Sequence, residues 1–425
     1  MAEVHLPKGM RDLLPAQMQA RLQIIDTVRK VFARFGFEPL ETPAMERIET
    51  LMGKYGDEGD KLIFRVLKRG EGGERGEVDQ ALRYDLTVPL ARVLAMNPGL
   101  AMPFRRYQIQ PVWRADRPQK GRFREFTQCD VDIAGSESPL CEAECLAVAS
   151  AALTALGFRD FTIRLNDRRI LAAMAAAIGA PDRLISMVTA IDKLDKVGED
   201  GVRKELAAQG FAPEAADLLF AMLGGGPIPE VEAYEAGLDQ IIGYAHDLGV
   251  APGRVVKDRT LARGLDYYTG PVFEIVVTEP KIGSISGGGR YDELVGMFSG
   301  RKIPAVGISL GLERIFVVME ELGMLGAGAK AAEVFVTRFS DATLSETLQA
   351  AAALRDAGVP TCLALDGGKL GKQLQQADKT GARWAVVIGP SEAKAGLAQL
   401  KDLRGGSQQT LPLAELVAQV KAALG

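Results

Sequence analysis

Between Arg105 and Arg124 the chain carries Arg105, Arg106, Arg114, Arg117, Lys120, Arg122 and Arg124 against Asp116 alone, a local charge of +6 in a protein of net charge -4. Charge concentrated in this way marks an anion site, because one surface, and not the sum over the molecule, meets a phosphate. Immediately after it, Arg122, Arg124, Phe126, Gln128, Asp130 and Asp132 share one parity. A strand running through them would present all six on one face. Arginine clamps phosphate through paired N–H groups, phenylalanine offers a flat surface to a base, and Gln with Asp offers directional partners to a polar substrate. A solvated outer sheet face would show similar parity, but a phenylalanine among so many charges weighs against it. Arg114, on the other side of the turn residues Pro118 and Gly121, can join the cluster.

Three further stretches carry candidate chemistry. ISGGGRYDEL sets Gly287, Gly288 and Gly289 where backbone must come close to another group, just before an expected helix. Neither GxGxxG nor GxxxxGK[ST] is present, which removes the Rossmann and P-loop readings. In GLERI, Arg314 falls in the first turn of a helix, where the helix dipole favours an anion. In ARGLDYYTG, Arg263, Tyr267 and Tyr268 either line a pocket or begin a packed strand. Histidine acid–base chemistry is a poor candidate, since only His5 and His246 are present and neither sits in a nucleophile or carboxylate pattern. The four cysteines form no CxxC or zinc spacing, and Cys141 and Cys145, one helical turn apart, read as core thiols.

These residues need elements to hold them. Apolar residues Leu22, Ile25, Val28, Phe32 and Phe35 recur at helical spacing and predict a helix from Gln17 to Phe35, followed by a strand-like FEPLETP. The charged KRGEGGERGE reads as a loop between two strands, with LRYDLTVPL resuming extended structure. Residues 104–134 read as a long antiparallel hairpin closed at RADRPQKG. An Ala- and Leu-rich helical insertion covers about 170–250, and strand–glycine patterns return after it. PAVGISLGLERIFVVMEEL reads as a strand feeding a helix. LGAGAKAA supplies a linker at 326–332, which leaves 1–325 as one domain and 333–425 as an α/β tail of alternating strands and helices. The fold class is therefore α+β, an antiparallel-sheet core with a helical insertion plus a C-terminal α/β domain. No apolar run reaches the length of a membrane span, and the N-terminal MAEVHLPKGMRDLLP lacks an export segment, so the expected location is the cytoplasm with no membrane partner.

In this order, three of the stretches resemble the motifs of class II aminoacyl-tRNA synthetases. The helix and strand ending at Pro43 resemble motif 1, the dimer element. WRADRPQKGRFREF resembles motif 2 through Arg114, Asp116, Arg122 and Phe126, and GISLGLERI resembles motif 3 through Arg314. ARGLDYYTG, SGGGRYDEL and LRYDLTVPL resemble blocks of the histidine-specific branch, and the tail resembles a class IIa anticodon-binding domain. The resemblance implies a homodimer that activates L-histidine with ATP and passes it to the 3′ end of tRNA(His). It assigns Arg114 and Arg263 to the catalytic centre, Arg263 stabilising charge at the α-phosphate. ATP would meet Arg114, Asp116, Arg122, Phe126 and Arg314, with Phe126 stacked on adenine and Arg122 and Arg314 on the outer phosphates. Histidine would meet Asp85, Leu86, Thr87, Arg114, Gln128, Asp132, Arg263, Tyr267, Tyr268 and Tyr291, with Asp85 on its ammonium. Magnesium would enter bound to ATP, with no all-protein metal site. Two departures accompany the match: Asp85 stands where many bacterial relatives carry glutamate, and Ala115-Asp116 replaces a usual His-Glu pair, so that EFTQCDVDIAG lies nearer the eukaryotic-like branch. A catalytically silent relative, the regulatory subunit of ATP phosphoribosyltransferase, resembles the same core but lacks the tail and degrades ARGLDYYTG.

Overall fold

The structure is a computed structural model that describes residues 4–263, 267–325 and 332–424. Residues 264–266 of ARGLDYYTG, and all of the expected linker except Ala332, lie outside the described residues. The chain divides into two compact units, residues 1–13 with 21–325 and residues 14–20 with 326–425.

The first unit is built on an eight-stranded sheet. Its strands are β1 (Glu38–Pro39), β2 (Phe104–Trp113), β3 (Glu125–Ala134), β4 (Phe161–Asp167), β5 (Val255–Lys257), β6 (Pro271–Val277), β7 (Ser284–Arg290) and β8 (Ala305–Gly311). They lie in the order β1-β2-β3-β8-β7-β6-β4-β5 and pair antiparallel except at the two edges. The predicted hairpin is β2 with β3, ten residues each, in register from Phe104 opposite Ala134 to Trp113 opposite Glu125. On β3 the odd positions Cys129, Val131 and Ile133 are apolar and buried, while Gln128, Asp130 and Asp132 occupy the other face and are buried as well. A polar face buried this deeply must find partners inside the molecule, and the register supplies them by setting Arg106 opposite Asp132.

Four expectations are corrected by these elements. β3 begins at Glu125, so Arg122 and Arg124 belong to the turn and not to the strand face. Gly121, at φ +68°, lets Gln119 and Arg122 pair across a tight bend that ends the ladder early. TVPL is not extended: Thr87 opens helix Thr87–Met96, where Pro89 in the first turn forfeits no internal hydrogen bond. The three glycines of ISGGGRYDEL lie within the central strand β7, not in a turn leading to a helix. The first helix, α1 (Pro15–Arg34), buries Ala20, Ile24, Val28, Val31 and Phe32 and leaves Leu22 46% exposed. Its inward stripe is thus offset from the one predicted, because Arg21 is drawn inside by a buried carboxylate, Glu313.

The helices following β4, from Arg168–Ala177 to Glu232–Asp247, form the predicted insertion. A second helix of the core, α2 (Thr87–Met96), a third, α3 (Leu140–Ala155), and a fourth, α4 (Leu312–Glu321), complete the frame. α3 buries Cys141 and Cys145 among Ala, Leu and Val, as the thiol reading required.

The second unit has five strands in the order Thr361–Leu363, Val334–Val336, Trp384–Val387, Leu397–Asp402, Gln408–Pro412. The first three are parallel and were legible in the sequence. The last two form an antiparallel hairpin that the reading of alternating strands and helices did not anticipate, and a helix, Leu416–Leu424, closes the unit. Among the described residues no helix is long and apolar enough to cross a membrane.

Candidate active site

Asp85 sits just before α2 and is 1% exposed. Its Oδ1 accepts hydrogen bonds from the Val88 amide and the Tyr55 hydroxyl, each at 3.0 Å, and its Oδ2 accepts from the Tyr267 hydroxyl at 3.2 Å. The Val88 bond also caps the helix, so the carboxylate is fixed by local structure before any ligand arrives. Burial raises its pKa, against the pull of the Val88 amide and Arg114. Leu86 is fully buried and its carbonyl accepts from Arg106 at 3.3 Å, while Thr87 stands beside the Tyr267 hydroxyl.

The polar face of β3 forms the floor. Arg106, fully buried, places Nη2 2.7 Å from Asp132 and 3.9 Å from Asp130. Two carboxylates thus share one guanidinium. Burial, opposed by Arg106 and reinforced by Asp132, pushes the Asp130 carboxyl up to about 7. Asp132 also accepts from the Tyr291 hydroxyl. Gln128 donates to Ser309 at 2.9 Å, and its own oxygen is buried with no protein partner among the described residues. An acceptor left bare in a buried position costs free energy unless a ligand donates to it. Tyr267 packs against Tyr268 at 4.9 Å and edge-on to Tyr291 at 6.0 Å, giving the pocket an aromatic wall.

The arginines gather beside this pocket. Arg114 donates from Nε to the Tyr84 carbonyl at 3.0 Å and lies 4.3 Å from the Tyr84 ring centroid and 5.1 Å from that of Phe126. Arg122 is gripped by both oxygens of Asp116, at 3.1 and 2.8 Å. Arg314 donates to the Ser284 carbonyl. Burial first, then the neighbouring Arg122, Arg114 and Arg263, hold the Arg314 pKa below its usual value in spite of Glu274. Arg263 donates to Glu274 at 2.9 Å. Burial opposes the charge on Arg263, yet Tyr268 and Glu274 keep it protonated.

The glycines explain how these groups come so close. A Cβ at Gly287 would strike the Arg263 guanidinium, one at Gly289 would lie 2.8 Å from the Tyr268 ring, and one at Gly307 would lie 2.5 Å from Cγ of Asp132. The sequence-predicted site residues other than Arg124 therefore fall around one region of the sheet, from β2 and β3 to β7 and the start of α4. Arg124 does not join them, being occupied with the Asp116 and Lys8 carbonyls. Sequence reasoning missed Tyr55, Arg106, Ser309 and Glu274 as partners. Arg106 alone left a signal, since its parity on β2 matches that of the β3 acids. Tyr55 comes from a distant segment that carries no motif.

Known proteins resemble this chain along its length. A family model described as "Histidyl-tRNA synthetase" matches residues 9–315, and one described as "Anticodon binding domain" matches residues 333–423. A histidine–tRNA ligase of Gloeobacter violaceus is 43% identical over 97% of this chain and 97% of its own length. One of Cytophaga hutchinsonii is 40% identical over 98% of this chain and 99% of its own. The crystal structure of histidyl-tRNA synthetase from Nostoc sp. PCC 7120 superposes with a TM-score of 0.82 at 33% identity, covering all of both chains. With its catalytic-core and anticodon-domain signatures both matched along a single chain, the protein belongs to the histidyl-tRNA synthetase family.

Proposed function

We propose that the chain activates L-histidine with ATP and transfers the histidyl group to the 3′ end of tRNA(His). In the first step the histidine carboxylate attacks the α-phosphorus of ATP and pyrophosphate leaves. In the second, a hydroxyl of the terminal ribose attacks the histidyl carbonyl and AMP leaves. Little covalent work falls to side chains in such chemistry; positioning and fixed charge supply most of the acceleration.

Asp85 holds the substrate ammonium, while Gln128, Asp132, Tyr268 and Tyr291 surround the imidazole, and Leu86, Thr87 and Tyr267 frame the amine end. Arg114 and Arg263 meet the carboxylate and α-phosphate. Arg122, oriented by Asp116, and Arg314 hold the outer phosphates, and Phe126 carries the adenine. Magnesium arrives with the nucleotide, sharing phosphate oxygens and water. Residues 1–325 perform adenylation, residues 333–425 hold the tRNA, and the protein works as a cytoplasmic homodimer.

The observation that carries this reading is a buried carboxylate, Asp85, held by Val88, Tyr55 and Tyr267, with Arg114 stacked 4.3 Å from the Tyr84 ring and further arginines around Arg314, an arrangement suited to an ammonium beside a polyanion. A silent regulatory role for a similar core fits less well, because Arg263, Tyr267 and Tyr268 are retained and the relatives matched along nearly their whole length are histidine–tRNA ligases. Amino-acid-dependent ATP/pyrophosphate exchange across the twenty amino acids tests the assignment. Exchange with histidine alone is expected, and no exchange with any amino acid would overturn it.

A further inference from the structure

The segment before α1 fastens the turn of the hairpin to the start of α4. The Arg124 amide donates to the Gly9 carbonyl at 2.8 Å, and the Arg124 side chain reaches the Lys8 carbonyl at 3.4 Å. Gly9 has φ +83°, and a Cβ there would lie 2.7 Å from Pro118 and 2.9 Å from Cγ of Arg124, so the backbone passes where a side chain has no room. Two residues on, Arg11 sets its guanidinium 4.1 Å from the ring centroid of Phe123 and 6.0 Å from that of Phe316. Its Nη2 is buried without a hydrogen-bond partner among the described residues, so the guanidinium is placed by the two rings together with the charges of Glu313 and Glu320 on α4.

Those rings have telling neighbours. Phe123 adjoins Arg122 in the turn, and Phe316 lies two residues beyond Arg314 on α4. Arg122 and Arg314 carry like charges, and burial first, then Arg122, lowers the pKa of Arg314, so their own interaction does not hold the two elements together. One candidate is the ion pair of Lys120 with Glu321 at 2.7 Å, but its lysine is 67% exposed and such pairs are weak in water. A Cβ added at Gly121 would lie 2.8 Å from Ile282 and 3.5 Å from Cγ of Arg314, so glycine lets the turn pass close to both without gripping either. Glu313 is already engaged by Arg21 at 2.7 Å and by the Thr127 amide at 2.8 Å, which fixes α4 against α1 and β3 and makes no bond to the turn.

We propose that Arg11 is a positioning residue for the nucleotide: lying between Phe123 and Phe316, it holds Arg122 against Arg314 so that both meet the outer phosphates of one ATP. This rests on the assignment of those two arginines to the outer phosphates. A planar guanidinium suits the place, since it can face aromatic rings while buried, whereas the ammonium of lysine is a strongly hydrated point charge. The expected signature is a split between substrates. Arg11→Ala loosens the turn, leaves the pocket around Asp85 and Asp132 intact, and so weakens ATP and spares histidine.

The test measures pyrophosphate exchange on the full-length protein, with KM for ATP and for histidine determined separately for Arg11→Ala, Arg11→Lys, Phe123→Leu and Arg122→Ala. Arg11→Ala and Phe123→Leu should each raise KM for ATP by about tenfold, the loss of roughly one good ionic contact. KM for histidine should stay within about twofold of wild type, and Arg11→Lys should fall between wild type and Arg11→Ala. If Arg11→Ala does not fold, Phe123→Leu removes the nearer ring while keeping the cation and carries the same expectation. A KM for ATP within about twofold of wild type in the folded variants, while Arg122→Ala raises it, overturns the role of Arg11 alone. An unchanged KM for ATP in Arg122→Ala overturns the phosphate assignment beneath it.

Discussion

A Cβ added at Gly287 would lie 2.7 Å from Cζ of Arg263, so the central strand and the guanidinium occupy adjoining space that only glycine leaves open. Glu274, which is cross-strand from Gly287, accepts a hydrogen bond from Nη1 of the same guanidinium. The arginine is thereby held against a bare backbone by a carboxylate. Gly287→Ala should displace Arg263 and lower single-turnover histidyl-adenylate formation by about a hundredfold, close to Arg263→Ala, as for loss of one preorganised charge. Rates within about threefold of wild type in both variants would make Arg263 a structural residue.

Asp85 has two duties that substitution can separate. Asp85→Asn keeps an acceptor for the Val88 amide but loses the charge for the ammonium. Both Asp85→Asn and Asp85→Ala should weaken histidine binding by about 3–5 kcal/mol, because a desolvated ammonium is left unpaired, with far less effect on ATP. Asp85→Ala should also lower thermal stability through the lost cap, by about 1 kcal/mol more than Asp85→Asn. Equilibrium binding of histidine and thermal unfolding read the two effects, and an unchanged histidine affinity would remove the ammonium role.

Asp130 should set part of the pH dependence of stability. Its carboxyl is raised by burial from 3.8 to about 7 in the folded protein. The folded state therefore holds this proton more tightly than the unfolded chain. The resulting stabilisation is present below the unfolded value, fades as pH rises toward 7 and is lost above it. Asp130→Asn, which stays neutral, should gain stability relative to the wild type on going from pH 5 to pH 8. Urea unfolding of the ligand-free proteins at the two pH values measures this. A difference between variant and wild type that is the same at both would show that Asp130 does not titrate in this range.

A chain ending near Gly328 should retain histidine-dependent pyrophosphate exchange and charge tRNA poorly, since the stretches assigned to adenylation precede that point and residues 333–423 match an anticodon-binding domain, whose loss removes phosphate and base contacts on the proposed reading. Exchange and aminoacylation are to be compared after circular dichroism and sedimentation confirm a folded protein of unchanged oligomeric state. Equal loss of both activities in such a protein would refute the division of labour between the two units.

Much of this protein is legible in its sequence because local rules decide it. The turn residues Pro118 and Gly121 mark a hairpin, the parity of Gln128, Asp130 and Asp132 survives intact, and PAVGISLGLERIFVVMEEL is a strand feeding a helix with Arg314 in its first turn, as read. The ordered blocks from LRYDLTVPL to GLERI mark the family and its chemistry before any coordinates are seen. What the tertiary structure alone decided are pairings across long chain separations. Arg21 faces Glu313, Tyr55 and Tyr267 share Asp85, Arg106 stands between two acids, and Arg11 bridges Phe123 and Phe316. None of these has a spacing rule, because each depends on which strands lie side by side. The same cause displaced two local expectations. The stripe of α1 shifted when a buried carboxylate claimed Arg21, and the glycines of β7 proved to be strand residues because Arg263 and Tyr268 needed the space a Cβ would fill. Periodicity reports what a segment can bury, while the partner that fills the space is set by the sheet order.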